Sequence, residues 1–109
     1  MEVTQTAVFA QWFHRLRDPK AQSRIAQRIA RIEICLMGDV KSVGDGVSEA
    51  RIDYGLGYRL YFTRRGDELV ILLVGGDKSS QQRDIARARQ LAAQLRGAPE
   101  SARPRRAAP

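Results

Sequence analysis

The sequence predicts an α+β fold, in the order strand, two helices, three antiparallel strands and a closing helix. Three observations carry that reading. From Val47 to Val74, apolar residues alternate with polar ones or run together in short segments separated by glycine turns, which is the signature of strands. Upstream, Phe9, Trp12, Phe13 and Leu16, and then Ile25, Ile29, Ile32 and Leu36, recur at helical spacing. Downstream, Ile85, Ala88, Leu91, Ala92 and Leu95 do the same before Gly97 and Pro99 stop the pattern.

Taken in order, Glu2 to Thr6 alternates and reads as a short strand at a sheet edge. The aromatic stripe of the first helix belongs to a core, with Arg15 and Arg17 off it. Asp18-Pro19 then restarts a helix, since aspartate suits the N-cap and proline at the first helical position loses no hydrogen bond. This helix is expected to reach about Leu36, with Cys35 as a packed thiol in its apolar end. Gly38-Asp39 ends it, and Val40 to Gly46 reads as a loop that carries Lys41 to the rim of the sheet.

In Val47–Tyr54 one parity holds Val47, Glu49, Arg51 and Asp53, and in Tyr58–Thr63 one parity holds Arg59, Tyr61 and Thr63. If the two strands form a hairpin through Gly55-Leu56-Gly57, Arg51 and Arg59 lie on the same polar face. Leu69–Val74 is apolar on both faces and should be the most buried strand, joined to its predecessor by a turn at Arg65-Gly66-Asp67. Gly75-Gly76-Asp77-Lys78-Ser79-Ser80 follows. Its local reading is a strand-to-helix turn with Ser79 as N-cap and Gln82 closing a capping box. The alternative is an anion site built on free backbone N–H groups.

The 109 residues suffice for one domain that buries roughly two-thirds of its unfolded surface. Residues 1–96 form that domain, and 97–109 form a basic alanine, proline and arginine tail too poor in large apolar side chains to order itself. A formal net charge of +7 favours an RNA, DNA or other anionic partner. One cysteine excludes an internal disulfide, and no signal peptide or membrane-spanning apolar run is present, so the expected location is cytoplasmic. His14, the single histidine, reads as a surface or partly packed residue beside the aromatic stripe, and neither a metal-ligand cluster nor a Ser/His/Asp set is expected. The glycine spacing before Lys78 is not that of a phosphate-loop ATPase.

The run Glu49-Ala50-Arg51-Ile52, then Tyr54-Gly55-Leu56-Gly57-Tyr58-Arg59-Leu60-Tyr61-Phe62, then Leu72-Leu73-Val74-Gly75-Gly76-Asp77-Lys78-Ser79-Ser80-Gln81 with Asp84-Ile85 and Ala88 resembles the phage-derived addiction-module killer proteins. These belong to the RelE/ParE toxin superfamily, close to its HigB branch. The resemblance covers about residues 3 to 95 and includes Phe9, Trp12, Gly38-Asp39 and Lys41. It implies a RelE-like arrangement: a small antiparallel sheet, the first two helices on one face, and an uncovered, concave, basic face as the working surface.

The same resemblance implies the toxin of a type II toxin–antitoxin module, acting as a metal-independent endoribonuclease on messenger RNA held by the ribosome. No cofactor is implied. The expected partner is a cognate antitoxin with a helix-turn-helix DNA-binding domain, giving a hetero-oligomer away from any membrane. Cations suit this chemistry because the phosphorane-like transition state of 2′-hydroxyl attack accumulates negative charge. By motif position Arg59 matches the arginine that binds the scissile phosphate, Arg51 a supporting basic position, and Lys78 the place where relatives put histidine, arginine or tyrosine. Asp77-Lys78 departs from that pattern and leaves the proton-transfer groups open. Lys41, Tyr61, Asp77, Ser79 and Ser80 are the candidate RNA- and phosphate-binding residues. The stripe Lys20, Arg24, Arg28 and Arg31 reads as a solvated face, with ribosomal RNA phosphates as the alternative. A ParE-like gyrase poison and a non-catalytic basic nucleic-acid-binding module are the other functions compatible with this sequence.

Overall fold

A computed structural model of the protein describes residues 1–96 and the backbone of Arg105–Arg106. The elements are β1 (Glu2–Gln5), α1 (Ala7–Arg15), α2 (Pro19–Glu33), β2 (Val40–Gly44), β3 (Val47–Ile52), β4 (Tyr58–Arg65) and β5 (Leu69–Gly76), then a 3-10 turn (Lys78–Ser80), α3 (Gln81–Arg96) and the two-residue β6 (Arg105–Arg106). The fold is α+β, and one mixed sheet runs β2-β3-β4-β5-β1-β6. The sheet is not wholly antiparallel, because β1 lies parallel to β5, with Val3 opposite Val70. The expected disorder of 97–109 falls outside the described residues, apart from the pairing of Arg105 and Arg106 with Gln5 and Thr4 of β1.

Alternation along the strands sends apolar side chains to both faces, so the molecule has three layers. On one side Phe9, Ile25, Ile29 and Ile32 of α1 and α2 pack on Ala50, Leu60, Phe62 and Leu72. On the other, Ala88 and Ala92 of α3 pack on Val47, Tyr61, Ile71 and Leu73. An irregularity in the β4–β5 register at Tyr61/Phe62 lets Leu73 and Val74 both join the α3 side. The anticipated open sheet face is therefore largely roofed by the closing helix. The apolar parity of β5 requires this, since a strand buried on both faces needs a cover on each.

Local rules explain the helix ends. Thr6 Oγ1 accepts from the Phe9 N–H at 3.1 Å and donates to the Leu73 carbonyl at 2.7 Å, so one hydroxyl caps α1 and ties it to β5. Asp18 Oδ1 accepts from the Lys20 and Ala21 N–H groups, with Pro19 in the first turn, as the sequence predicts. The C-terminus of α2 comes earlier than expected. Cys35 adopts a left-handed φ of 67°, and the Cys35 and Leu36 N–H groups donate back to Ile32 and Arg31 carbonyls in a Schellman closure. The helix thus ends at Glu33, Leu36 leaves the buried stripe, and Cys35 is exposed rather than packed.

Val40–Gly44 is a strand, not a loop. It pairs antiparallel with β3 through a turn at Asp45-Gly46, both residues at positive φ. Asp-Gly is the pair such a two-residue hairpin requires. Arg89 of α3 donates to Asp45 Oδ2 at 2.8 Å and Arg96 to the Asp45 carbonyl at 3.1 Å, which fastens the turn under the helix.

Gly75 and Gly76 are packing glycines. An ideal Cβ on Gly75 would sit 2.1 Å from the Trp12 ring, and one on Gly76 would sit 1.9 Å from Asp84 Oδ2. The end of β5 is squeezed from both sides, by α1 and by α3. Gly75→Ala is expected to cost about 1–3 kcal/mol by overpacking, read as a lower denaturant midpoint at unchanged slope. An alanine there that leaves the midpoint unmoved would contradict this account of the double-glycine end.

Candidate functional site

The two arginines of the β3–β4 hairpin are direct cross-strand partners, Arg51 opposite Arg59. Like charges so placed repel, and a sheet keeps them only when counter-charges are supplied. Each has one. Arg51 Nε lies 4.0 Å from Asp39 Oδ2, and Arg59 Nε lies 3.7 Å from Glu49 Oε2. The two sites differ in burial. The Arg51 side chain is 53% exposed, whereas Arg59 is 7% exposed and Glu49 is fully buried.

Glu49 is the hub of this cluster. Its Oε2 accepts a hydrogen bond from Gln81 Nε2 of α3 at 2.9 Å, and its Oε1 lies 3.7 Å from Lys41 Nζ of β2. Arg59 Nη1 donates to the Gly57 carbonyl at 2.7 Å, which fixes the guanidinium at the base of the hairpin turn. The alternation of β4 sets Arg59 on the polar face, away from Leu60 and Phe62, as a side chain free for a ligand. The structure corrects this: Arg59 carries the counter-charge of a buried carboxylate. Tyr61, a candidate RNA contact, is also corrected. Its ring is wholly buried beneath α3, and burial together with the Glu49 carboxylate pushes its phenol well above the usual tyrosine range.

Arg51, Arg59, Asp39, Asp53, Gly57 and Tyr58 line one open cleft of about 250 Å³. Lys78 is exposed at its margin, where an ideal Cβ on Gly57 would meet Arg59 Nη1 at 3.3 Å and the Lys78 Cβ at 3.5 Å. The Lys78 N–H also donates to the Leu56 carbonyl at 3.3 Å, which holds the start of the last turn against the hairpin tip. Arg51 and Arg59 thus share one cleft, Lys78 has its backbone and Cβ beside the hairpin tip, and Lys41 is linked to Arg59 through Glu49.

Asp77, Ser79 and Ser80 go elsewhere. Asp77, not Ser79, caps the turn, accepting from the Ser79 N–H at 2.8 Å, while Ser80 Oγ accepts from the Asp77 N–H at 3.3 Å. These three line a separate groove of about 610 Å³ with Trp12, Arg83 and Arg87. Asp39 and Asp53 also line the cleft, although the sequence reading assigns neither a role at the site. Asp53 shares the parity of Arg51, a usable signal, whereas Asp39 reaches the cleft only because β2 pairs with β3.

No group of three or more His, Cys, Asp or Glu suited to a metal ion occurs among the described residues. No described helix is long and apolar enough to cross a membrane.

No family model matches the chain. A protein of Haemophilus influenzae, described only as uncharacterized, is 44% identical over 95 residues, spanning 87% of this chain and 96% of that protein.

Burial of Tyr61 sets a pH limit. Because its folded pKa is raised, its contribution is fully present below about pH 10, the unfolded tyrosine value, and is lost as pH rises through the folded value. Tyr61→Phe is expected to flatten the alkaline limb of the stability curve, measured by denaturant unfolding at stepped pH. An unchanged alkaline limb would show that the phenol is not held neutral by the core.

Proposed function

We propose that this chain, which belongs to one family with the Haemophilus influenzae protein, is a RelE-like toxin of a type II toxin–antitoxin module that cleaves messenger RNA. The single observation that supports this best is the cross-strand pair of arginines lining one open cleft. Glu49 accounts for Arg59, but the exposed Asp39 pair gives the fold little reason to set a second guanidinium opposite it, and an anionic ligand turns the repulsion between the two into attraction. A guanidinium offers two parallel N–H donors to phosphate oxygens, which suits a phosphodiester.

In the proposed reaction the ribose 2′-oxygen attacks the adjacent phosphorus, the P–O5′ bond breaks, and a 2′,3′-cyclic phosphate and a 5′-hydroxyl result. Arg59, held by Glu49 and Gly57, and the half-exposed Arg51 stabilise the charge that grows on the non-bridging oxygens. The proton of the 2′-hydroxyl passes to a carboxylate lining the cleft, Asp53 or Asp39. Lys78, at the margin, supplies a proton to the departing 5′-oxygen. No metal or cofactor enters these steps. The messenger RNA is presented by the ribosome, and a helix-turn-helix antitoxin in a cytoplasmic toxin–antitoxin complex holds the protein inactive.

One observation favours a second reading. Arg59 and Tyr61 are absorbed into the packing under α3, so the sheet face is less open than a nuclease surface would be. A ParE-like protein that binds gyrase without catalysis would tolerate that burial.

Arg51 is the cleaner probe, because its ion pair is exposed and worth about 0–1 kcal/mol. In a translating extract the wild type is expected to cut messages within the reading frame while gyrase supercoiling proceeds. Arg51→Ala is expected to slow cleavage by on the order of 10²–10³ at nearly unchanged thermal midpoint. Inhibited supercoiling with intact messages would establish the second reading instead.

A further inference from the structure

The cleft does not end at Asp53. A second groove of about 260 Å³ is lined by Arg24, Gln27, Arg28 and Arg31 of α2 and shares Ile52 and Asp53 with the first. The two are joined physically as well: Arg28 Nη2 donates to the Arg51 carbonyl at 2.6 Å, so an α2 arginine is latched to the strand that carries the cleft arginine. Arg28 Nη1 is buried and lacks a hydrogen-bond partner among the described residues. Arg24 is held in place by the Tyr54 ring, with its guanidinium carbon 4.8 Å from the ring centre, and Tyr54 donates to Asp18 Oδ2 at 2.9 Å. Arg24 and Arg31 are exposed and form no ion pair among the described residues.

We infer that these grooves form one track, and that single-stranded RNA lies along it with its backbone passing from the Arg51/Arg59 cleft over Ile52–Asp53 onto Arg24, Arg28 and Arg31. The inference rests on the reading of the cleft as an RNA phosphate site, and it adds where the flanking nucleotides go. Five arginines line the path with two carboxylates, Asp39 and Asp53, and a third, Glu49, is buried against Arg59, which leaves the arginines in excess by two. That balance suits a chain of phosphates better than a lone anion. It also explains why the sequence stripe at spacings of four and three is not simply solvated. Arg24 and Arg28 are oriented by specific partners, whereas a solvated lysine or arginine has none. The aromatic rings nearby do not serve as base platforms. Tyr54 has Arg24 on its ring, and Tyr54 and Tyr58 stack on each other at 6.5 Å, so recognition on the track is of the backbone and tolerant of sequence.

The test is fluorescence anisotropy with a labelled single-stranded RNA bearing 2′-O-methyl groups, which cannot be cut by 2′-hydroxyl attack. Binding is thereby read separately from cleavage. Each phosphate neutralised on a single strand contributes about 0.7 to the slope of log affinity against log salt. Arg24→Ala/Arg31→Ala is expected to reduce that slope by about 1.4, the share of two phosphates. Arg24→Lys/Arg31→Lys is expected to keep it, and so is Arg83→Ala/Arg87→Ala in the separate groove beside Trp12. An unchanged slope in the α2 alanine pair would overturn the track. So would a lysine pair that loses the slope, or an Arg83/Arg87 pair that loses as much as the α2 pair. Equal or tighter binding of duplex DNA with the same dependence would overturn the single-stranded RNA assignment. Bound RNA with no cleavage in the extract would leave the track standing while the nuclease reading fails.

Discussion

A carboxylate buried between a sheet and a helix is the constraint on which this structure depends. Glu49 has no contact with water, and an isolated buried charge is too costly to keep. Its partners therefore dictate what surrounds it. Lys41 comes from β2, Arg59 from β4 and Gln81 from α3, so one side chain ties three elements to the strand that carries it. Burial of such a group is poor evidence for net stability, because the cost of desolvating the charges offsets their attraction. With Glu49 in place, Arg59 has few positions open to it, and Gly57 fixes the remaining one through its carbonyl.

This arrangement couples scaffold to site. The more deeply set of the two cleft arginines, Arg59, is also the one that balances the buried Glu49. Loss of Arg59 would leave the Glu49 charge with Lys41 as its one strand cation, so a loss of activity there would not by itself identify a catalytic role. Arg51 has no such double duty. Its position depends on the hairpin, on Asp39 and on the Arg28 latch to its carbonyl, while its guanidinium stays open to solvent. The cleft thus pairs a buried arginine held by Glu49 and Gly57 with an exposed one whose counter-charge, Asp39, is itself exposed.

Gly75 and Gly76 impose the second constraint. They bring β5 within contact of Trp12 on one side and Asp84 on the other, and Asp84 in turn accepts from the Ser80 hydroxyl. The start of the last turn is thereby locked, and Lys78 is set at the hairpin tip rather than in the groove with Ser79 and Ser80. A glycine pair before hydroxyl residues reads locally as a phosphate loop or a capped turn. Here it is a site of close approach, and only knowledge of what lies above and below the strand distinguishes the two.

The sequence by itself determined the α+β class, the order of the main elements, the Asp18-Pro19 helix start and the hairpin parity that puts Arg51 and Arg59 on one face; their direct opposition is a matter of register. These follow from periodicity and local capping, which act over a few residues. It also contained the Asp45-Gly46 hairpin signal, although the glycine-rich stretch around it suggested a loop. The tertiary structure alone decided the parallel placement of β1, the early Schellman end of α2 and the cover over the second sheet face. It decided, too, that Glu49 and Tyr61 are buried while Arg51, on the same parity as Glu49, is not. The reason is that alternation along a strand fixes which side a residue faces, whereas the length and docking of α3 fix how much of that side is roofed. Parity is a property of the strand, and burial is a property of what packs against it.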